Sequence, residues 1–380
     1  MSKAQPQSVY RRLRGAFDSV ATVAAASTQP AATTTATSKP SSLRKMVKRF
    51  KESSESQDFR SRFDVYLNSF KRLAKYGKFS LIEEIVEHQK KFEDITGEQF
   101  VSRLIVIYGR VGMFKQARKL FDEMPDLNCP RTVYSFNALL SACIDSGEFD
   151  QIDGIVKDLP PKLGITLDVV SHNTIMKGFC KMGALDSAAS TLDEMMKKGV
   201  SPSVVSFNTL LNAFYRNGRF EDGESIWNRM AEMDVAPDII SYNSRMLGLA
   251  LVKRVEEAEK LIDEMGTKGI EPDGHSFSAL IQGYVKDDNL EAVKRWYREI
   301  EKNELAPNKA IFKTLVPFLC EKSDLQLAFE LCRDTFRAKC GVDVKSMQLV
   351  VDELTKESKV QEAEELVQLA KKNKYKLIIS

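Results

Sequence analysis

The polar residues best suited to chemistry in this 380-residue chain fall into two columns set by a 35-residue period. Fifth in successive units stand Asn137, Asn173, Asn208, Asn243 and Ser278; last in the same units stand Asp168, Ser203, Asp238, Asp273 and Asn308. An amide offers both a donor and an acceptor whereas a carboxylate only accepts, so the two together discriminate partners by hydrogen-bond polarity. Such a pair suits the edge of a pyrimidine base. The same residues also fit a plainer role, the Asn as a polar residue near a helix start and the Asp as the cap of the helix that follows. The two roles coexist in one side chain.

Other chemistries lack their residues. The six cysteines form no C-x-x-C pair and have no His partners at zinc-finger spacing, so no metal, cofactor or disulfide framework is expected. Neither an H-x-E with P-C-x-x-C signature nor a nuclease carboxylate cluster follows the repeats, and the chain reads as no enzyme. Cys143, Cys180 and Cys320, at nearly one place in their units, read as small buried hydrophobes.

The elements that must position the two columns are visible in the period itself. Val204 to Asp238 matches Val169 to Ser203 without a gap, and the frame extends both ways to nine units: 63–97, 98–132, 133–168 (one residue longer), 169–203, 204–238, 239–273, 274–308, 309–343 and 344–378. The fourth residue is usually aromatic, as in Tyr66, Phe136, Phe207, Tyr242, Phe277 and Phe312, with His172 a polar exception. Leu210, Leu211, Phe214 and Tyr215 then give an amphipathic first helix of about a dozen residues. Gly77, Gly112, Gly147, Gly183 and Gly218, fifteenth in their units, suit a left-handed helix cap. Lys253, Asp288, Ser323 and Ser358 replace that glycine later, so those turns are expected to be closed differently or to be weaker. In the second helix, columns of Ala (117, 188, 258, 328, 363) and Met (124, 195, 230, 265) read as core. Pro202, Pro237, Pro272 and Pro307 are expected to stop each second helix. One hairpin cannot bury its apolar faces alone but a stack can, which predicts an all-α, right-handed superhelical α-solenoid of about nine helix-turn-helix repeats with a concave face.

Units reading V-V-S-F-N-T-L-L-x-x-F-x-x-x-G…M…P-D resemble P-type pentatricopeptide repeats over about five-sixths of the chain. The tetratricopeptide alternative would want a Trp and a Leu-Gly in the first helix and lacks the Asn and terminal Asp columns. The resemblance implies a non-enzymatic protein that binds single-stranded RNA, one base per unit. It implies uridine at Asn137/Asp168, Asn208/Asp238 and Asn243/Asp273, cytidine at Asn173/Ser203 and adenosine at Ser278/Asn308, hence 5′-U-C-U-U-A. Val170, Val205, Ile240 and His275, second in their units, would stack on the bases. Arg110, Lys181, Arg216 and Lys286, thirteenth, would face phosphates in a basic column interrupted by Asp145, Leu251 and Glu321. The outer pairs Leu67/Gly97, Ser102/Thr132 and Lys313/Asp343, with Gln348, give no dependable code. Arg245 stands where the three preceding units have Leu or Ile, and the sequence offers no account of it.

Charge and leader bound the setting. Met1 to Lys51 carries ten Lys and Arg against Asp18 alone, with Val9, Leu13, Phe17 and Val20 on one helical face and an Ala/Ser/Thr tract after it. Residues 1–40 therefore read as a mitochondrial transit peptide, 41–62 as a basic helical linker and 63–378 as the array. No run is apolar enough for a membrane span or a secretory signal core. Residues 1–40 hold five basic groups and one acid, so of the net +3 the remainder carries −1. Bulk charge thus argues nothing for nucleic acid, and basic groups must act locally.

Five readable units specify a site that random sequence offers about once per thousand nucleotides, too often to mark one transcript. The expected partners are therefore mitochondrial rRNA or mRNA together with ribosomal proteins, in the mitochondrial matrix rather than the plastid, with no membrane or small-molecule substrate. The resemblance extends to the short repeat proteins of plant mitochondrial ribosomes. A free factor for mRNA stability, processing or translation and a protein-binding helical scaffold are the alternatives.

Overall fold

The computed structural model describes residues 39–303, 305, 309–337, 343–373 and 375–379. The leader assigned to residues 1–40 lies outside them except for Lys39 and Pro40. Helix Lys39–Ser53 belongs to a first unit ending at Ser56, and a second unit runs from Gln57 onward. Regular structure among the described residues is entirely helical, and no helix is long and apolar enough to cross a membrane.

From Phe63 onward the second unit is a solenoid of helix pairs. First helices begin at Phe63, Glu98, Val133, Val169, Val204, Ile239, Gly274, Lys309 and Val344, the first residue of each 35-residue frame. The helix therefore starts three residues before the aromatic. Each first helix packs on its own second helix and on the first helix of the next repeat. This is the neighbour-only contact pattern of a repeat array. The fourth-column aromatics are buried, as are the Ala and Met columns. Cys143 is buried, and Cys180 and Cys320 are half-buried free thiols whose pKa values burial pushes up.

Two expectations about helix ends are corrected. The turns at Lys253, Asp288, Ser323 and Ser358 are closed as the glycine turns are, with φ between 57° and 60° at those four residues. In all nine repeats the next backbone N–H bonds the carbonyl five residues back, as in Arg219 to Phe214 (3.0 Å) and Arg254 to Leu249 (2.9 Å). Packing of the two flanking helices fixes this geometry, and a side chain there accepts the left-handed strain. Nor does proline stop the second helix. The helices of repeats 4 to 6 end at Lys197, Glu232 and Thr267, where Gly199, Asp234 and Gly269 turn left-handed. Val200, Val235 and Ile270 then bond back to Met195, Met230 and Met265. Pro202, Pro237 and Pro272 fall in the link that follows, and Pro307 lies outside the described residues.

Arg245 acquires a reason. Its guanidinium lies 4.6 Å from the Trp227 ring and donates through Nε and Nη2 to Glu224 (3.0 and 2.7 Å), which also accepts from the Tyr215 hydroxyl at 2.6 Å. Tyr215 is itself seated between Gly223 and Gly248, where an added Cβ would fall 2.4 and 2.3 Å from its ring. An arginine in a column that is Leu or Ile in the three preceding repeats thus staples repeat 6 to the second helix of repeat 5.

Candidate nucleic-acid interface

Residues 2, 5, 9 and 13 of a first helix follow one another at three- and four-residue steps and so share a face. In repeat 4 that face carries Val170, Asn173, Lys177 and Lys181, and the adjoining repeats continue it because first helices pack side by side.

The amide and carboxylate columns are joined by hydrogen bonds. Nδ2 of Asn137, Asn208 and Asn243 donates to Oδ1 of Asp168, Asp238 and Asp273 at 3.1, 2.8 and 3.0 Å. The Asp is also the N-cap of the next helix, its Oδ1 accepting from the backbone N–H of Ser171, Ser241 and Ser276. Capping and pairing therefore coexist, as the residue types allowed. A third group, absent from the sequence reading, completes the arrangement: the serine third in the following repeat. Ser171, Ser206, Ser241 and Ser276 donate from Oγ to Oδ1 of Asn137, Asn173, Asn208 and Asn243 at 2.6 to 2.7 Å. The serine column is plain in the sequence, but a serine in the first turn reads as a capping-box partner, and its reach into the preceding repeat depends on stacking.

The ring fixes what each amide presents. The amide oxygen is engaged by the serine and one N–H by the carboxylate, leaving the second N–H and the second carboxylate oxygen outside the ring. A donor beside an acceptor complements a base edge holding a carbonyl next to an N–H. At Asp273, burial pushes the carboxyl pKa up. Hydrogen bonds from His275, from the Ser276 backbone and from Asn243 outweigh burial and hold it well below the usual range, so the acceptor stays charged. Repeat 4 differs: Ser203 supplies no carboxylate, and among the described residues Asn173 Nδ2 has no partner, so this amide presents both N–H donors with only a neutral hydroxyl beside them.

The other sequence-selected residues distribute unevenly. Val205 is 45% exposed, Val170 and Ile240 are half-buried, and exposed His275 sits 3.4 Å from Asp273. Ser278 is buried, its hydroxyl accepting from Gln282 at 3.3 Å, and Asn308 lies outside the described residues. In the basic column Lys181 pairs with Asp145 at 3.2 Å, Arg216 donates to Asn212 at 2.6 Å, and Lys286 is exposed. Arg110 is half-buried over the Phe63 ring, where burial lowers its pKa against the pull of Asp145. Lys177, ninth in its unit and not selected from sequence, joins this cluster; burial pushes its pKa down while Asp145 raises it.

Repeat 2 lacks the ring. Thr132 caps the next helix, its Oγ1 accepting from the backbone N–H of Tyr134 (3.1 Å), Glu98 adds an Oε1 that accepts from the backbone N–H of Thr132 (2.7 Å) and Ser135 (3.2 Å), and the Ser102 hydroxyl is buried without a hydrogen-bond partner among the described residues. In repeat 9 Gln348 bonds the backbone of Ile378 in both directions, at 2.6 and 3.0 Å.

Comparison with known proteins follows the same frame. Models of the PPR repeat family match residues 202–251 and 237–286, a pentatricopeptide repeat domain model matches 154–217, and a PPR repeat model matches 101–129 and 275–305. From Arabidopsis thaliana, the small ribosomal subunit protein mS79 (rPPR3b) is 47% identical over 40% of this chain and 39% of its own length. The small ribosomal subunit protein mS78 (rPPR3a), also from Arabidopsis thaliana, is 41% identical over 50% of the chain and 52% of its own length. The chain thus spans about half or less of the relatives it matches. The crystal structure of the maize pentatricopeptide repeat protein PPR10 superimposes with a TM-score of 0.52 at 18% identity, covering all of this chain and 50% of that one.

Proposed function

The chain belongs to the pentatricopeptide repeat family, and from that premise we propose that repeats 3 to 7 hold a single strand of RNA, one base per repeat, without catalysing a reaction. The hydrogen-bonded ring carries this reading. It appears with carboxylates in repeats 3, 5 and 6 and without one in repeat 4, and a structural cap alone would not need an amide pinned by a neighbouring repeat's serine. A donor N–H beside a carboxylate oxygen complements the O4 or O2 and N3–H of uracil; amide N–H donors with no obligate acceptor beside them complement N3 and O2 of cytosine. Chemistry at repeats 3 to 6 thus supports U-C-U-U. The adenosine assigned to Ser278/Asn308 has less support, since the Ser278 hydroxyl is buried and engaged by Gln282.

Phosphates would meet Lys181, Arg216 and Lys286, with Lys177 behind them and Arg110 in a supporting place. Val170, Val205 and Ile240 would lie against base faces. Filter binding of the full chain to an oligoribonucleotide containing UCUUA tests this. The expected result is preference over the permuted sequence, and each base mismatched in repeats 3 to 6 should cost about 1 to 3 kcal/mol. Equal binding to both sequences would refute the reading.

The setting we infer is the mitochondrial matrix, within or on the ribosome. The similarity to two ribosomal-subunit proteins and the low information content of five bases both favour an assembly over a free transcript factor. Sedimentation of the tagged chain through a salt-washed gradient checks it: comigration with a mitochondrial ribosomal subunit is expected, and free sedimentation with one enriched transcript would favour the mRNA-factor reading.

A further inference from the structure

The ring contains one proton whose direction is fixed by backbone. In repeats 4, 5 and 6 the serine of the following repeat accepts, at Oγ, the backbone N–H of the residue before its helix: Ser203 to Ser206 at 3.0 Å, Asp238 to Ser241 at 3.1 Å and Asp273 to Ser276 at 3.1 Å. A hydroxyl has a single proton, and an oxygen receiving a backbone N–H directs that proton elsewhere. At Ser206 it goes to Asn173 Oδ1, 2.6 Å away. The amide oxygen is thereby turned toward the junction and the NH2 away from it.

In repeats 3, 5 and 6 the orientation is fixed twice. If the Asn208 amide rotated by 180°, its oxygen would face Asp238 Oδ1, where Nδ2 now donates at 2.8 Å; two acceptors would meet, so the carboxylate forbids the flip without help from Ser241. Repeat 4 has no such carboxylate. Its last residue is Ser203, whose hydroxyl lies 3.4 Å from Ser206 Oγ, and Asn173 Nδ2 has no partner among the described residues. Ser206 is then the single group setting which end of that amide a ligand meets.

We infer that Ser206 is a specificity-determining positioning residue: it belongs to repeat 5 but sets the hydrogen-bond polarity presented by repeat 4. Ser241 and Ser276 share the same bonds, yet are redundant for polarity because Asp238 and Asp273 impose it. The inference rests on the base-reading proposal above. It predicts an asymmetry that a purely structural capping role does not, since all three serines cap in the same way.

The test compares Ser206→Ala with Ser241→Ala in the full chain, using UCUUA oligoribonucleotides changed one base at a time. Ser206→Ala should reduce discrimination at the second base by about tenfold, because a freely rotating amide offers its oxygen as readily as its N–H. Ser241→Ala should cost discrimination at the third base several-fold less than Ser206→Ala costs at the second, because Asp238 still holds the Asn208 amide. Ser206→Thr, which keeps the hydroxyl, should restore the second base. Equal losses in the two alanine variants, or none in Ser206→Ala, overturn the assignment.

A readout without RNA separates this from failure of the binding proposal itself. Relaxation of 15N-labelled asparagine side chains should show the Asn173 amide becoming mobile in Ser206→Ala while Asn208 stays rigid in Ser241→Ala. If the wild type shows no base preference, the RNA reading falls and the relaxation result still decides the positioning role. An Asn173 amide that stays equally ordered without the serine hydroxyl overturns it.

Discussion

Repeats 2 and 5 share a helix pair, the same left-handed turn and the same serine at the head of the next helix, yet their polar atoms are connected differently. In repeat 5 the cap is Asp238, which also orders Asn208. In repeat 2 the cap comes from Thr132 together with Glu98 at the start of the repeat, and the hydroxyl of the fifth residue, Ser102, is buried with no hydrogen-bond partner among the described residues. The helix that follows is capped either way. Capping is therefore a structural requirement met by more than one set of residues, whereas the ring adds nothing to capping that Thr132 and Glu98 do not supply. Its presence in repeats 3 to 6 marks a contiguous stretch in which the columns are held for something outside the chain.

The largest effect that would break this comparison lies at the seam between the two regions. Gly109 in repeat 2 faces Ala142 in repeat 3 so closely that an added Cβ would sit 2.3 Å from the Ala142 Cα. Gly109→Ala should destabilise the stack there by about 3 kcal/mol, since backbone cannot move aside as a side chain can. In a repeat array the loss stays local. Hydrogen exchange should show amides of repeats 1 and 2 losing protection while repeats 4 to 6 keep theirs.

Next in size is a conversion. Glu98→Val, Ser102→Asn and Thr132→Asp together would give repeat 2 the amide and carboxylate of repeat 5, with Ser135 already in place to complete the ring. Binding to an RNA extended by one 5′ uridine should then gain about 1 to 3 kcal/mol over the same RNA with another base at that position. Unchanged preference would show that the seam, and not the residues, limits reading. The opposite change, Asp238→Asn, keeps a capping residue but replaces the acceptor oxygen nearest Asn208 with a group that also donates. Preference at the third base should move from uridine toward cytidine by about 1 to 3 kcal/mol in competition binding.

The frame, the helix pairs and the buried columns were legible because each recurs at a fixed 35-residue spacing and hydrophobic period needs no partner to be read. The circuit around each amide was not. Ser206 touches Asn173 across 33 residues, and a serine within the first turn has a local explanation that hides the distant one. Arg245 was unreadable for the same reason, its partner Glu224 lying in the preceding repeat. Conversely, the prolines were over-read: residues following a helix resemble residues ending it until the left-handed turn at Gly199 or Gly269 is seen.

Two smaller effects sharpen the account. Burial pushes the Glu224 carboxyl pKa up, but hydrogen bonds from Arg245 and Tyr215 outweigh it and hold it below its ordinary value of 4.5. A depressed folded-state value means this stabilisation is complete above the unfolded value and lost as pH falls through the folded one. Arg245→Met should cost about 2 kcal/mol at neutral pH, less than for a wholly buried pair, and make the stability decline below pH 4.5 shallower in acid titration of the melting curve. Last, Lys253→Gly or Ser358→Gly should stabilise by about 0.5 to 1 kcal/mol in chemical denaturation, because glycine adopts φ near 60° without strain. No gain would mean that the flanking helices, not the turn residue, bear the whole of the constraint.

The serines that hold Asn137, Asn173, Asn208 and Asn243 sit downstream of the boundary that defines each repeat. A word of any sequence code written in this array is consequently spelled across a joint. Modules exchanged as 35-residue cassettes would import an amide and leave its orienting hydroxyl behind. Chimeras of such arrays should therefore be spliced between the third and fifth residues of a first helix, as between Ser206 and Asn208, so that each crossover leaves both halves of a reading site on one parent.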